Sequence, residues 1–127
     1  MVVNFRNVDF SYNGVPVLSD VDFSIEDKSF VSIVGPNAGG KTTLLKLMLG
    51  LLKPARGTIE VFAMPPGKAR PLIGYMPQQV QFDPHFPVTV LDVVLMGRLG
   101  KGTRFGPYRN GDKAVSMEAL RKLEMHD

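Results

Sequence analysis

The sequence predicts an α/β fold that starts with an antiparallel β subdomain and continues into part of a helical subdomain. Three observations support this prediction. Residues alternate between apolar and polar along Val17–Ile25, the run Phe30–Val34 is mostly apolar, and the glycine-rich loop Gly35–Gly40 precedes an apolar helix. A strand covered on both faces, a glycine loop and a helix, in that order, indicate a parallel α/β core.

The composition fits one globular domain with a real core, because 44% of the 127 residues are apolar. The absence of cysteine excludes a disulfide framework and a thiolate metal site. The net charge of +3 is mild, and no basic stripe is interleaved with aromatic residues, so no nucleic-acid partner is predicted. We see no signal peptide and no apolar run long enough to span a bilayer, and we therefore expect a soluble protein.

The first predicted elements are two strands and the turn between them. Val2–Tyr12 is rich in β-branched and aromatic residues, and Val17–Ile25 shows the alternation of a half-buried strand. The dipeptide Asn13-Gly14 is typical of a type I′ hairpin turn. Together they predict an antiparallel hairpin.

A helix and two strands are predicted next. Thr42–Leu49 is apolar on nearly all sides, which predicts a buried helix with Gly50 as its C-terminal cap. Further strands are predicted over Thr58–Phe62 and Leu72–Met76, separated by a break at Pro65–Gly67.

The last third of the chain predicts two helices. Thr89 and Asp92 have the spacing of a capping box, which opens a helix through about Met96. Asp112 is expected to cap a final helix. The apolar face of that helix is expected to combine Val115, Ala119, Leu120 and Leu123.

Residues 35–42, GPNAGGKT, match the phosphate-binding pattern G-x-x-x-x-G-K-[ST]. Small residues let successive backbone N–H groups close around an anion, and the start of the following helix adds further N–H groups. The Lys41 ammonium can reach the β- and γ-phosphates, and the Thr42 hydroxyl can bind Mg²⁺. A glycine turn before an ordinary helix is the alternative, but the apolar strand and the helix that flank the loop favour a P-loop.

Four features resemble, in order and spacing, the ATP-binding subunit of ABC transporters. They are Tyr12 before its turn, the Walker A motif Gly35–Thr43, the strand Thr58–Phe62 and the run Gly74–Gln78 that leads to the Q-loop. The resemblance implies a truncated P-loop NTPase fold of the ABC type. Residues 1–79 would be the β subdomain and P-loop core, and residues 80–127 part of the helical subdomain. Phe86–Arg98 is most similar to importers of zinc, manganese or iron.

The resemblance also implies roles for the matching residues, with ATP and Mg²⁺ as cofactors. Tyr12 would stack on adenine, Thr42 would bind Mg²⁺, and Thr43 would contact the α-phosphate. Lys41 and Gln78 would act in catalysis, with Gln78 at Mg²⁺ or the attacking water. The phosphate-binding loop would consist of Gly35, Asn37, Ala38, Gly39, Gly40 and Lys41.

The implied partners are the membrane permease of an ABC importer and a second ATPase subunit, at the cytoplasmic face of the cell membrane. The family's signature motif, Walker B acidic pair and switch histidine do not occur in these residues, so we expect weak Mg-ATP binding and negligible hydrolysis. We also expect unpaired apolar sheet edges. Two alternatives stay open: a non-hydrolysing protein that docks on a permease, or another P-loop NTPase such as a kinase or GTPase. No N-K-x-D guanine motif is present.

Three residues depart from the family's pattern, because Lys28, Ala38 and Ala63 stand where it usually has glycine. If position 38 needs a positive φ, its alanine costs on the order of 1 kcal/mol. We therefore expect either local strain or a divergent sequence.

Overall fold

The computed structural model describes residues 1–78, 87–99 and 108–125. The chain forms two compact units, residues 1–75 and 76–127. The predicted boundary between residues 79 and 80 falls outside the described residues. Within those ranges, none of the helices has the length and apolar character needed to cross a bilayer.

The first unit is built on a three-stranded antiparallel sheet in the order β2–β1–β3. β1 spans Val3–Tyr12, β2 spans Val15–Ile25 and β3 spans Arg56–Val61. Asn13 and Gly14 join β1 to β2 with φ of 48° and 82°, as a type I′ turn requires. The predicted hairpin is confirmed, although β2 starts two residues before the predicted Val17.

The core of this unit lies against β1. Phe5 and Val8 are almost fully buried, and the Phe5 ring stacks on that of Phe23 with a centroid distance of 4.5 Å. The pairing register of β1 with β2 shifts between Phe5 and Val8, where Asn7 has a φ of 48°. This irregularity explains how two residues of opposite parity can both face the core. The buried cluster consists of Val3, Phe5, Val8, Phe10, Leu47, Ile59, Val61 and Ala69.

Helix α1, Lys41–Met48, packs Leu47 into this core. The prediction that α1 is buried on nearly all sides is wrong, because Thr43 and Leu47 are its buried residues and Leu45 is 39% exposed. The helix covers one face of a small sheet, so only one of its sides finds apolar neighbours.

The C-terminal end of α1 confirms the predicted role of Gly50. The N–H of Gly50 donates to the Leu47 carbonyl at 3.0 Å, and the N–H of Leu51 donates to the Lys46 carbonyl at 2.9 Å. These two bonds form a Schellman motif, in which the residue after the cap adopts a left-handed conformation. Gly50 does so, with a φ of 65°.

A short helix follows where the sequence predicts only a break. α2 spans Pro66–Ala69 and continues into a 3₁₀ turn over Arg70–Leu72. Arg70 donates from Nε to the Leu49 carbonyl at 3.1 Å and from Nη2 to the Gly50 carbonyl at 2.9 Å. A guanidinium at these carbonyls complements the negative end of α1.

Two predicted strands are not formed. Phe30–Val34 has no regular structure, and Leu72–Met76 begins in the 3₁₀ turn and continues without regular structure. Within the described residues, Phe30–Val34 forms no backbone hydrogen bond. A strand exists only when a neighbour pairs with it, and the described strands pair only with one another.

The second unit contains the helices α3, Val90–Met96, and α4, Asn110–Lys122. The predicted capping box of α3 is confirmed. The Asp92 N–H donates to the Thr89 hydroxyl at 3.2 Å, and the Thr89 N–H donates to the Asp92 carboxylate at 2.9 Å.

Helix α4 differs from its prediction in two ways. Arg109 is the capping residue and Asp112 lies in the first turn, where its carboxylate accepts from the Arg109 N–H at 3.1 Å and from Arg98 Nε at 3.0 Å. Of the predicted apolar face, Leu120 is buried as expected, but Val115 is 45% exposed and the other buried residue is Ser116, which was not predicted. Ala119 and Leu123 are exposed too. The contact with α3 decides which face is covered, and a single-helix pattern does not contain that information.

Candidate nucleotide-binding site

The glycine-rich loop contains a tight turn that forces one alanine into an unfavourable conformation. The Gly39 N–H donates to the Pro36 carbonyl at 3.0 Å, so Pro36–Gly39 closes as a four-residue turn. Its third residue, Ala38, has a φ of 63°. Type II turns need a positive φ at this position and therefore favour glycine. The predicted strain at Ala38 follows, at about 1–2 kcal/mol.

The other two residues that stand where the family usually has glycine also have a positive φ. Lys28 has a φ of 60° and Ala63 a φ of 56°. Each of the three residues therefore carries a side chain where the backbone favours glycine. These φ values support local backbone strain at the three positions.

Two glycines fix the loop between its own turn and β2. A Cβ atom added at Gly39 would lie 2.9 Å from the Pro36 carbonyl oxygen. Gly40 has a φ of 80°, and a Cβ there would lie 3.0 Å from Leu18 Cδ2 and 3.3 Å from Val17 Cγ1. No pattern in the sequence identifies Val17 and Leu18 as residues that hold the loop. They are adjacent in the chain, so simple alternation would put them on opposite faces, and the register shift between Phe10 and Ser11 that brings both towards Gly40 is not visible in the sequence.

The start of α1 is an open set of hydrogen-bond donors. Gly40 precedes the helix and supplies no side-chain cap, and the first turn contains no acidic residue. Within the described residues, the N–H groups of Lys41, Thr42 and Thr43 donate to no acceptor, and the first helical bond runs from the Leu44 N–H to the Gly40 carbonyl. Free N–H groups at the positive end of a helix form a site for an anion.

Lys41 folds back over the loop that precedes it. Its Nζ donates to the carbonyl oxygens of Gly35 and Pro36, at 2.6 Å and 2.5 Å. Lys41 therefore holds a positive charge at the first residues of the loop. Thr42 is exposed, so its hydroxyl is accessible, whereas Thr43 is buried and has little side-chain surface available for a phosphate.

Tyr12 lies at the end of β1 with 42% of its surface exposed. Its ring meets Phe10 edge-on, with centroids 4.8 Å apart. Phe10 pairs with Leu18, which also contacts the position of Gly40. The hairpin that carries Tyr12 is thus the one that holds the end of the loop. Stacking of adenine on Tyr12 stays a prediction.

Gln78 belongs to the second unit, where it is exposed and outside regular structure. Its predicted action together with Lys41 stays a prediction. Among the described residues, His, Cys, Asp and Glu form no group of three that could hold a metal ion. Binding of Mg²⁺ by Thr42 and Gln78 stays a prediction.

Comparison with known proteins identifies the family. The profile of the ABC transporter family matches residues 18–127. The chain is 41% identical to the high-affinity zinc uptake system ATP-binding protein of Bacillus subtilis, over 99% of this chain and 55% of that protein. It is 38% identical to the manganese transport system ATP-binding protein of the same organism, over 98% of this chain and 50% of that protein. The chain thus spans about half the length of these curated relatives.

A solved structure supports the same family assignment. A metal-chelate type ABC transporter in an inward-facing conformation superposes with a TM-score of 0.78 and 30% identity, covering 98% of this chain and 45% of that one. The predicted fold class and the predicted resemblance to metal-importer ATP-binding subunits are confirmed. The comparisons do not favour the alternatives of a non-hydrolysing protein that docks on a permease or of another P-loop NTPase such as a kinase or a GTPase.

Proposed function

We propose, from the premise that this chain belongs to the ABC transporter family, that it binds ATP through Gly35–Thr43 as part of an importer's nucleotide-binding subunit. The observation that carries the proposal is the uncapped start of α1, where free N–H groups and the Lys41 ammonium converge on one loop. The relatives named for zinc and manganese transport support a metal ion as the transported substrate.

Each group of the loop has a task that follows from its chemistry. The N–H groups would donate to phosphate oxygens, and the Lys41 ammonium would leave the Gly35 and Pro36 carbonyls for the more negative β- and γ-phosphates. The Thr42 hydroxyl would complete the coordination of Mg²⁺ beside those phosphates. Gln78 would contact Mg²⁺ or the attacking water, and the exposed Tyr12 ring would stack on adenine.

The proposed partners follow from the same relatives. A membrane permease and a second ATP-binding subunit would assemble with this domain at the cytoplasmic face of the cell membrane. ATP hydrolysis that drives transport is proposed for that assembly. Phosphoryl transfer depends on positioning and charge stabilisation, which a complete pair of subunits would supply around the bound nucleotide.

A binding measurement tests the proposal. Calorimetric titration of the protein with Mg-ATP is expected to show saturable binding that Lys41→Ala weakens by at least tenfold, since a hydrogen bond to a charged group contributes about 1.5–3 kcal/mol. Lys46→Ala, which removes the same charge from the same helix away from the loop, is the matched control and should bind normally. Equal affinity of the parent and Lys41→Ala would refute the site, and tighter binding of GTP than of ATP would contradict adenine recognition.

A further inference from the structure

A second concave surface lies at the end of α1 opposite the P-loop. The half-open space along it measures about 680 Å³, a size typical of small-molecule sites. Leu52, Pro54 and Pro66 are partly exposed and supply its apolar surface, above the buried side chains of Leu47 and Ile59. The segments Lys53–Pro54 and Pro65–Lys68 form its sides. We call this surface the α1 groove. The proposed ATP site does not use it.

The α1 groove has positive charge and no negative charge. Lys53 and Lys68 line it, and no acidic residue does. The carbonyl end of a helix would normally repel an anion here. In this structure, however, Arg70 donates to the Leu49 and Gly50 carbonyls and offsets that negative end. The electrostatics therefore favour an anionic group beside an apolar surface.

The walls of the α1 groove are held by the core. Leu47 is fully buried and Ile59 is 8% exposed, so neither can move without disturbing the sheet. Gly50 approaches Gly67 so closely that a Cβ added at Gly50 would lie 2.6 Å from the Gly67 nitrogen. A preformed site binds its ligand without first ordering its own side chains.

We propose that the α1 groove binds an amphipathic organic anion. A flat apolar body packs against Leu52, Pro54 and Pro66, and a single acidic head group lies beside the ammonium groups of Lys53 and Lys68. The apolar lining disfavours highly charged polyphosphates, because they would lose water without enough partners. A neutral apolar molecule would fit the lining but gain nothing from the two lysines.

The first test compares two fluorescent probes of the same ring system. Anilinonaphthalene sulfonate carries an acidic group, and phenylnaphthylamine does not. With Mg-ATP in excess, the sulfonate should bind more tightly, and the double substitution Lys53→Ala and Lys68→Ala should weaken it about fivefold while leaving the neutral probe unchanged. The matched control, Lys46→Ala with Lys113→Ala, removes the same total charge outside the groove and should have no effect.

The second test locates the bound sulfonate by backbone amide NMR. The expected shifts are at Gly50, Thr58 and Gly67. The competing apolar surface is Phe30–Val34, where Phe30 is 98% exposed and Val34 is 90% exposed. Phe30→Ser with Val34→Ser should leave binding intact. Loss of binding in that variant, displacement by ATP, insensitivity to the lysine pair, or no binding at all would each overturn the proposal. These outcomes do not depend on whether the P-loop binds ATP.

Discussion

Helices α1 and α3 begin in opposite ways. The N–H groups at the start of α1 find no acceptor in the described residues, and the residue before the helix is Gly40, which has no side chain. The start of α3 is closed, because Thr89 and Asp92 exchange hydrogen bonds across its first turn. Both helices have a positive end, but only α1 leaves it available to a ligand.

The comparison shows that a helix start can bind a ligand when no side-chain cap occupies its N–H groups. A side-chain cap typically stabilises a protein by about 1 kcal/mol, and α1 has none. In its place α1 has a glycine loop whose first two carbonyls hold the Lys41 ammonium. Substitutions can place a charge at the start of α1, relieve the strain in its loop, or remove the cap of α3, and their expected effects decrease in that order.

The largest effect is expected from closing the start of α1 with Gly40→Asp. The side chain of the new residue meets Leu18 and Val17 of β2, which disturbs the loop, and its carboxylate adds a negative charge that repels phosphate. Like-charge contacts of this kind cost several kcal/mol. The affinity for Mg-ATP should therefore fall by more than about 100-fold in calorimetric titration. Gly40→Asn is the control, because it has the same shape and the same tolerance of a left-handed φ without the charge. A similar loss in both variants would attribute the effect to the backbone and contradict the electrostatic explanation.

A smaller and opposite effect is expected from Ala38→Gly. Glycine relieves the cost of the left-handed φ of 63° in the loop. If nucleotide binding requires this conformation to be held, affinity should rise up to about fivefold, corresponding to roughly 1 kcal/mol.

Ala63→Gly is the matched control for that substitution. It makes the same chemical change at a φ of 56° outside the loop. It should raise the midpoint of thermal unfolding without changing the affinity for ATP. An equal gain in affinity from both substitutions would mean that general stability, and not the loop, is responsible.

The smallest effect is expected at the start of α3. Hydrogen bonds from the Thr89 hydroxyl and N–H lower the pKa of Asp92 below its ordinary value of 3.8. A carboxyl with a lowered pKa in the folded state contributes stability above its unfolded pKa and loses it as pH falls through the folded value. The amide signals of Val90–Met96 should therefore shift towards unfolded positions only below about pH 4.

Asp92→Asn is the variant that checks this assignment. It should weaken α3 at neutral pH and remove that part of the acid transition, while ATP binding at neutral pH stays unchanged. An acid transition of unchanged shape in this variant would assign the titration to another group.

Local patterns were sufficient to predict the hairpin, the P-loop and the capping box. In each case the interacting residues are close in sequence. Asn13-Gly14 sets its own turn, and Thr89 and Asp92 are three residues apart. Gly50 likewise ends α1 through carbonyls only a few residues earlier.

Interactions between distant residues could not be predicted in this way. Phe30–Val34 has the composition of a buried strand, but composition does not supply a neighbouring strand. The cap that Arg70 places on α1 joins residues about 20 positions apart, and no sequence pattern connects them. The buried face of α4 depends on its contact with α3, so Ser116 is covered while Val115 is not.

The close approach of Gly50 to Gly67 has a mechanical consequence. Eight residues of α1, about 12 Å of rigid rod, separate the phosphate loop from this contact. Because the backbones leave no room even for a methyl group there, the end of α1 cannot move towards Gly67 without displacing it. We therefore expect a shift of α1 on phosphate binding to reach Pro66–Ala69 as well.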